Sequence, residues 1–347
     1  MVEEISTPVD IFSEVVNLVK KNTKQSKVED LFNQSLKHYE LEEFDEAEEC
    51  LEQALELEPT NMNTLLGIAN FHYDLYEYDK SLEYLLKANK LEPTNEVVIR
   101  SIANIYVLLK DLEKGIEYCK KALSLNPEDF RAFLIMGSAF FQQHNIEKAE
   151  SLFRKAAEIE PESSDVWFNL GVLHRTLQEF DKALESFQKA LSLEPEDLML
   201  YFTIAETYED LENIDEAIKF YYKVLENDPK AYAVWIRLFE LHVDREEHKK
   251  AEKCMLELMK LDPNNPVILN NLGYLYLEMG ELEKAFTFLT KSMEANSSYP
   301  NIWHSFGEYY EKIGDKEKAL DHYTKAVELD PENKEHQEAF KKIKKKK

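Results

Sequence analysis

The sequence predicts an all-α fold, and two observations indicate it. Only 8 glycines and 11 prolines occur among the 347 residues, while alanine, leucine, glutamate and lysine are abundant. This composition favours long helices with brief interruptions. A regular series of prolines, 34 residues apart, consists of Pro59, Pro93, Pro127, Pro161, Pro195, Pro229 and Pro263, then Ser297 in the next slot and Pro331. Such a period is typical of an α-solenoid, in which one helical unit repeats along the chain.

The first segment, residues 1–27, is predicted to contain an amphipathic helix followed by a linker. Thr7 is a candidate N-cap, Pro8 occupies the first helical position, and Phe12, Val15 and Val19 follow at helical spacing. This helix either caps the first repeat or acts as a detachable segment that binds a partner or blocks the protein's own surface.

The central segment, residues 28–333, divides into nine tandem repeats of 34 residues without an insertion. Two helices are predicted in each repeat because apolar residues recur at helical spacing in two runs, as in 167–174 and 183–191. Places eight and twenty usually hold glycine or alanine, which lets the paired helices approach closely. The last place of most repeats holds an N-cap former, and these residues are Asn61, Asn95, Asp129, Ser163, Asp197, Asn265 and Asn333.

One repeat carries a clear family resemblance. The stretch "WFNLGVLHRTLQEFDKALESFQKALSLEP", residues 167–195, resembles a tetratricopeptide repeat, and its signature residues are Trp167, Leu170, Gly171, Ala183, Phe187, Ala190 and Pro195. His174 stands where that pattern prefers tyrosine. The resemblance implies a right-handed superhelix of helix-turn-helix hairpins whose concave groove holds peptide ligands.

The last segment, residues 334–347, is predicted to be a capping helix with a lysine-rich tail. Ala339, Phe340 and Ile343 form its apolar stripe, and seven lysines accompany two glutamates. Positive charge suits the C-terminal end of a helix dipole. An acidic partner, a nuclear address or contact with the protein's own acidic body are alternative roles for the lysines.

Charge and cysteine content narrow the class of protein. The formal net charge is −26, which repels nucleic-acid backbones. No stretch has the length of apolar residues that a membrane helix needs, and no secretory signal is present, so membrane insertion is not expected. Cys50, Cys119 and Cys254 suit neither a disulfide framework nor a metal site. The predicted location is cytoplasmic.

No sequence signature of an enzyme or of a cofactor site is found. His38, His72, His174 and His242 share the eleventh place of their repeats, but helices packed about 8–10 Å apart would keep them from sharing one metal ion. We therefore expect these histidines to be packing residues, and we expect no enzyme activity, cofactor or metal.

Function is then expected on the surface formed by the first helices, at the second, fifth, ninth and twelfth places of each repeat. Apolar residues dominate this stripe in the first six repeats, a pattern that favours a peptide or an amphipathic helix as partner. The residues predicted to bind it are Phe32, Leu66, Asn70, Arg100, Asn104, Leu134, Phe141, Phe168, Val172, Phe202 and Ile236. The predicted function is that of a protein-binding scaffold or adaptor.

Three alternatives remain open at this stage. The apolar side chains could instead pack on the neighbouring repeat or on the N-terminal helix. The protein could be a structural subunit that self-associates or builds a larger assembly. Asn70, Arg100 and Asn104 also resemble part of the carboxylate clamp of some tetratricopeptide co-chaperones, but the next repeats offer Leu134 and Phe168 where the clamp needs further polar residues.

Overall fold

The computed structural model describes residues 27–345, which form nineteen α-helices and no strand. The helices are α1 Lys27–Glu40, α2 Phe44–Leu57, α3 Met62–Asp74, α4 Tyr78–Leu91, α5 Glu96–Leu108, α6 Leu112–Leu125, α7 Phe130–Gln142, α8 Ile146–Ile159, α9 Ser164–Thr176, α10 Phe180–Leu193, α11 Leu198–Asp210, α12 Ile214–Asn227, α13 Tyr232–Asp244, α14 His248–Leu261, α15 Pro266–Glu278, α16 Leu282–Ala295, α17 Pro300–Lys312, α18 Lys316–Leu329 and α19 Lys334–Lys345. The all-α solenoid prediction is confirmed, with two helices in every predicted repeat. The helix predicted within residues 1–27 lies outside the described residues, apart from Lys27.

The chain divides into two compact units, one up to Leu200 and one from Tyr201. Within each unit, antiparallel helix pairs stack on the next pair. The first helix of a pair is buried around most of its circumference, whereas the second buries a single stripe, such as Ser81, Leu85 and Ala88 of α4. The first helices therefore form the interior of each stack, and the second helices face outward.

Small residues permit this close packing, as the sequence predicts. A β-carbon added to Gly171 would lie 2.5 to 2.9 Å from the ring of Phe187, which fills the space between α9 and α10. The ring of Tyr323 occupies the corresponding space beside Gly307. The glycines of the eighth place are thus required by the bulky residue of the twenty-fourth place.

The junctions between repeats are held by N-cap residues and by side chains at the fourth place of each repeat. Asn61 and Asp129 each accept a hydrogen bond from a backbone N–H of the following helix, at 3.1 Å in both cases. Ser163 occupies the predicted N-cap position of α9, but its side chain makes no such bond. Trp167 instead donates its indole N–H to the Pro161 carbonyl at 2.7 Å, which fixes the same turn.

The C-terminal helix α19 continues the repeat pattern. His336 and Ile343 are buried, and Ile343 packs with Ala319 and Tyr323 of α18. Gln337 donates to the Pro331 carbonyl at 2.6 Å, as the tryptophans do at the same place in their repeats. A capping role for α19 accords with these contacts.

Candidate functional site

The eleven predicted binding residues all lie on first helices, but they differ in burial. Phe168, Phe202 and Ile236 are half-buried and reach the surface. The other eight have exposures of 6% or less, and they are Phe32, Leu66, Asn70, Arg100, Asn104, Leu134, Phe141 and Val172. Direct contact with a partner through these eight remains a prediction, because in this structure their side chains pack within the fold.

Close approach of successive first helices explains this burial. The ring of Phe32 in α1 lies against Gly67 in α3 and occupies the space that a β-carbon would need. Leu66 joins the same core cluster. Packing on the neighbouring repeat, one of the three alternatives left open by the sequence, therefore accounts for the apolar fifth place in the first repeats.

Arg100 also belongs to the fold. Its Nη1 atom lies 3.0 Å from Oδ2 of Asp129, and both side chains are buried. Asp129 caps α7 at the same time, because its other oxygen accepts from the Ala132 N–H. The guanidinium thus ties α5 to the start of α7. This engagement argues against the carboxylate-clamp interpretation, which needs the guanidinium for a ligand.

A polar network crosses the first helices of the first two repeats. Asp74 Oδ2 accepts hydrogen bonds from the Tyr39 hydroxyl at 3.1 Å and from Asn70 Nδ2 at 3.0 Å. Burial and the nearby Asp74 charge raise the pKa of Tyr39 to about 12. Tyr39 therefore stays protonated and keeps donating at neutral pH, so Asn70 serves this network in the present structure.

The four histidines of the eleventh place each bind a glutamate five residues later. Their Nδ1 atoms lie 2.7, 2.8, 2.9 and 2.7 Å from a carboxylate oxygen in the pairs His38–Glu43, His72–Glu77, His174–Glu179 and His242–Glu247. Each pair links the end of a first helix to the start of its partner helix. Sequence reasoning missed this pairing, although every histidine at this place is followed by glutamate at the sixteenth place.

Neither a metal-binding cluster nor an ionised thiol at Cys119 or Cys254 is found among the described residues. Residues 27–345 contain no group of three or more histidine, cysteine or acidic side chains arranged to hold a metal ion. Burial raises the pKa of the Cys254 thiol to about 12 and raises that of Cys119 strongly, so both thiols are protonated at neutral pH. Among the described helices, none has the length and apolar character to span a bilayer.

The second compact unit has an acidic first-helix face. Arg237 of α13 pairs with Glu209 of α11 and with Glu240, the latter at 2.8 Å from Nη1 to Oε2. Toward the C-terminus, the carboxylates of Glu308 and Glu335 lie 3.6 and 3.9 Å from Nε2 of His304. None of the eleven predicted binding residues is among these charged side chains, although Phe202 and Ile236 belong to the same unit.

Most of the repeats match known family models. Models described as tetratricopeptide repeat match residues 28–61, 101–129, 130–163, 164–197, 200–230 and 264–332. Together these ranges cover more than half of the chain. A search of curated proteins gave no match.

Several solved structures are similar to parts of the chain. A thermophilic TPR protein of Thermus thermophilus is 23% identical with a TM-score of 0.48, and the match covers 53% of this chain and 100% of that one. A MamA protein is 25% identical with a TM-score of 0.38, covering 49% of this chain and 92% of that one. A chain of the APC/C hetero-tetramer Cut9-Hcn1 is 15% identical with a TM-score of 0.46, covering 97% of this chain and 63% of that one.

Proposed function

The chain belongs to the tetratricopeptide repeat family, and we propose that it is a non-catalytic adaptor that binds a peptide or an amphipathic helix on its first helices. The repeat fold supports a protein-interaction scaffold in general. Binding of a peptide or an amphipathic helix on the first helices is the more specific part of the proposal. The expected cytoplasmic location and possible self-association stay predictions.

The half-buried aromatic at the fifth place is the observation that supports the proposal most. Phe168 leaves part of its side chain exposed, while its ring is held 5.8 Å from that of Phe187. In the second compact unit, the ring of Phe202 is held 5.5 Å from that of Tyr221. An aromatic ring fixed by packing loses little conformational entropy on binding, which makes it a good anchor for a partner.

The surroundings of these anchors fit a protein ligand. Met199, at the second place of the sixth repeat, is 62% exposed and offers a flexible apolar contact. In the second unit, Ile236 is half-buried at the same place as Phe202. These side chains differ between repeats, whereas those at the eighth and twentieth places are nearly constant, so partner choice is expected to depend on the fifth place.

The test is a peptide selection followed by substitution of the anchor. Peptides from a displayed random library are selected on the full chain, and their affinities are measured by fluorescence anisotropy. Phe168→Glu is expected to weaken binding of the selected peptides about tenfold or more, because a carboxylate replaces a buried aromatic contact. Phe202→Glu tests the second unit in the same way.

Matched controls exist on outward-facing helices. Phe44 begins α2 and Phe286 lies on α16, and both are exposed, at 38% and 42%, which is more than the half-buried anchors Phe168 and Phe202. Phe44→Glu and Phe286→Glu are expected to leave affinity unchanged, and circular dichroism verifies that all four variants keep their helicity. Equal losses in anchors and controls, or no loss in either anchor, would refute binding on the first helices.

A further inference from the structure

The first-helix face of the last two repeats, together with the start of α19, carries a cluster of acidic and polar groups outside the residues assigned to the adaptor function. Glu308 of α17 and Glu335 of α19 bring their carboxylates within 4 Å of the same nitrogen, His304 Nε2. Tyr274 of α15 lies beside them. We call Asn270, Tyr274, Glu308 and Glu335 the C-terminal acidic cluster.

The fold leaves two acceptor atoms of this cluster unsatisfied. Glu308 Oε2 is shielded from solvent and has no hydrogen-bond partner within the described residues. Asn270 is only 4% exposed, and its Oδ1 atom likewise lacks a partner there. Asn270 precedes Tyr274 by four residues and so faces the same side of α15. A shielded acceptor without a donor is costly, so a donor that reaches either atom would lower the free energy of the complex.

Tyr274 stands close to this negative charge. Its side chain is 38% exposed. Burial, followed by the charges of Glu308, Glu278 and Glu335, raises the pKa of its hydroxyl to about 12. An exposed aromatic ring surrounded by carboxylates attracts a cation through both its π face and its charged neighbours.

The described basic groups can neutralise the cluster only in part. Lys312 donates to the Leu277 carbonyl at 2.5 Å and lies 3.5 Å from Glu278. His304 Nδ1 is 3.0 Å from His336 Nδ1, so one of these two imidazoles must accept and cannot carry a second proton. Within the described part of the chain, no lysine or arginine pairs with Glu308 or Glu335.

We propose that the C-terminal acidic cluster binds the ammonium or guanidinium group of a lysine or arginine in a partner peptide. Such a group supplies the donors that Glu308 and Asn270 lack and a positive charge over the Tyr274 ring. The proposal rests on the proposed function, because it assigns one chemical feature to the ligand of the same first-helix surface. A metal ion is the less fitting occupant, since the described residues hold no cluster of metal-ligand type.

The test uses the full chain and a fluorescein-labelled peptide of alternating glycine and lysine. A second peptide has the same sequence with every lysine acetylated at Nζ, so that only the charge is removed. Fluorescence anisotropy is expected to show binding of the lysine peptide and about tenfold weaker binding of the acetylated one. Glu308→Gln is expected to weaken the lysine peptide about tenfold, and Tyr274→Leu severalfold.

Glu317→Gln is the matched control, because Glu317 is exposed on the outward-facing α18 and its replacement removes the same charge. This control should leave affinity unchanged. If Glu308→Gln and Glu317→Gln weaken the affinity for the lysine peptide equally, binding depends only on the net charge of the protein, and the proposal is overturned. Tighter peptide binding after Lys341, Lys344 and Lys345 are changed to glutamine would show that the protein's own lysine-rich tail occupies the cluster. That result would also overturn the proposal.

The two proposals fail in different ways. If Phe168→Glu weakens the selected peptides while Glu308→Gln leaves the lysine peptide unaffected, the acidic cluster is not a cation site but the adaptor function stands. If Phe168→Glu and Phe202→Glu have no effect on selected peptides, the adaptor function on the first helices fails, whatever the lysine peptide does.

Discussion

At the scale of single residues, the fit between Gly171 and Phe187 limits which substitutions the repeats tolerate. Phe187 is fully buried, and its ring atoms stand where an alanine β-carbon would go. Gly171→Ala is therefore expected to destabilise the protein by about 1–3 kcal/mol, despite alanine's better helix propensity. Urea unfolding measures this change. Adding Phe187→Leu should recover part of the loss, and a neutral or stabilising Gly171→Ala would contradict the packing described.

His336 is a residue whose titration should affect stability. Burial, then the neighbouring His304, lowers its pKa below the ordinary 6.5, with Asp330 and Glu335 opposing. As pH falls through about 6.5, the unfolded chain gains a proton that the folded chain does not, so stability decreases until the lowered folded pKa is reached. Between about pH 7.5 and 5, His336→Gln is expected to lose less stability than the unsubstituted protein. Urea midpoints across this range test it, and identical pH dependence would disprove the assignment.

At the scale of the helical hairpin, the turn between its two helices has one constant feature. The residue at the fifteenth place has a positive φ in all nine repeats, from 56° at Glu246 to 84° at Gly314. Only the last two repeats use glycine there. Seven hairpins therefore place a side chain in the left-handed region, at a cost of about 1 kcal/mol each.

Gln178→Gly is the corresponding prediction. Gln178 is exposed with a φ of 59°, so glycine is expected to stabilise the protein by about 0.5–1 kcal/mol after its own entropy cost. Gly280→Ala is the reverse control: no atom lies within 4 Å of the added β-carbon, so any destabilisation comes from the backbone alone. Thermal unfolding of both variants decides the matter, and a destabilised Gln178→Gly would be inconsistent with this strain.

The repeats themselves were predictable from the sequence, because prolines, small residues and N-caps recur at a fixed period. The burial of the side chain at the fifth place could not be predicted, because it depends on how closely successive first helices approach each other. The contact of Phe32 with Gly67 is an example. The pattern of residues in one repeat does not encode that distance. Unsatisfied acceptors such as Asn270 Oδ1 are likewise visible only once side chains are placed.

At the scale of the whole molecule, the helix packing is the same in every repeat, whereas the residues on the first-helix surface differ between repeats. The first-helix face includes Arg131 and Arg175 in the first compact unit, whereas Glu240 and Glu308 occupy it in the second. Both units share the same hairpin packing, so this difference in charge is where selectivity between ligands is expected.

Hydrogen exchange of the full chain, with and without a peptide selected on it, tests the central claim most directly. The adaptor account predicts that the peptide slows exchange in first helices such as α9, Ser164–Thr176, while the partner helix α10, Phe180–Leu193, changes little. Protection confined to the outward-facing second helices would contradict the account.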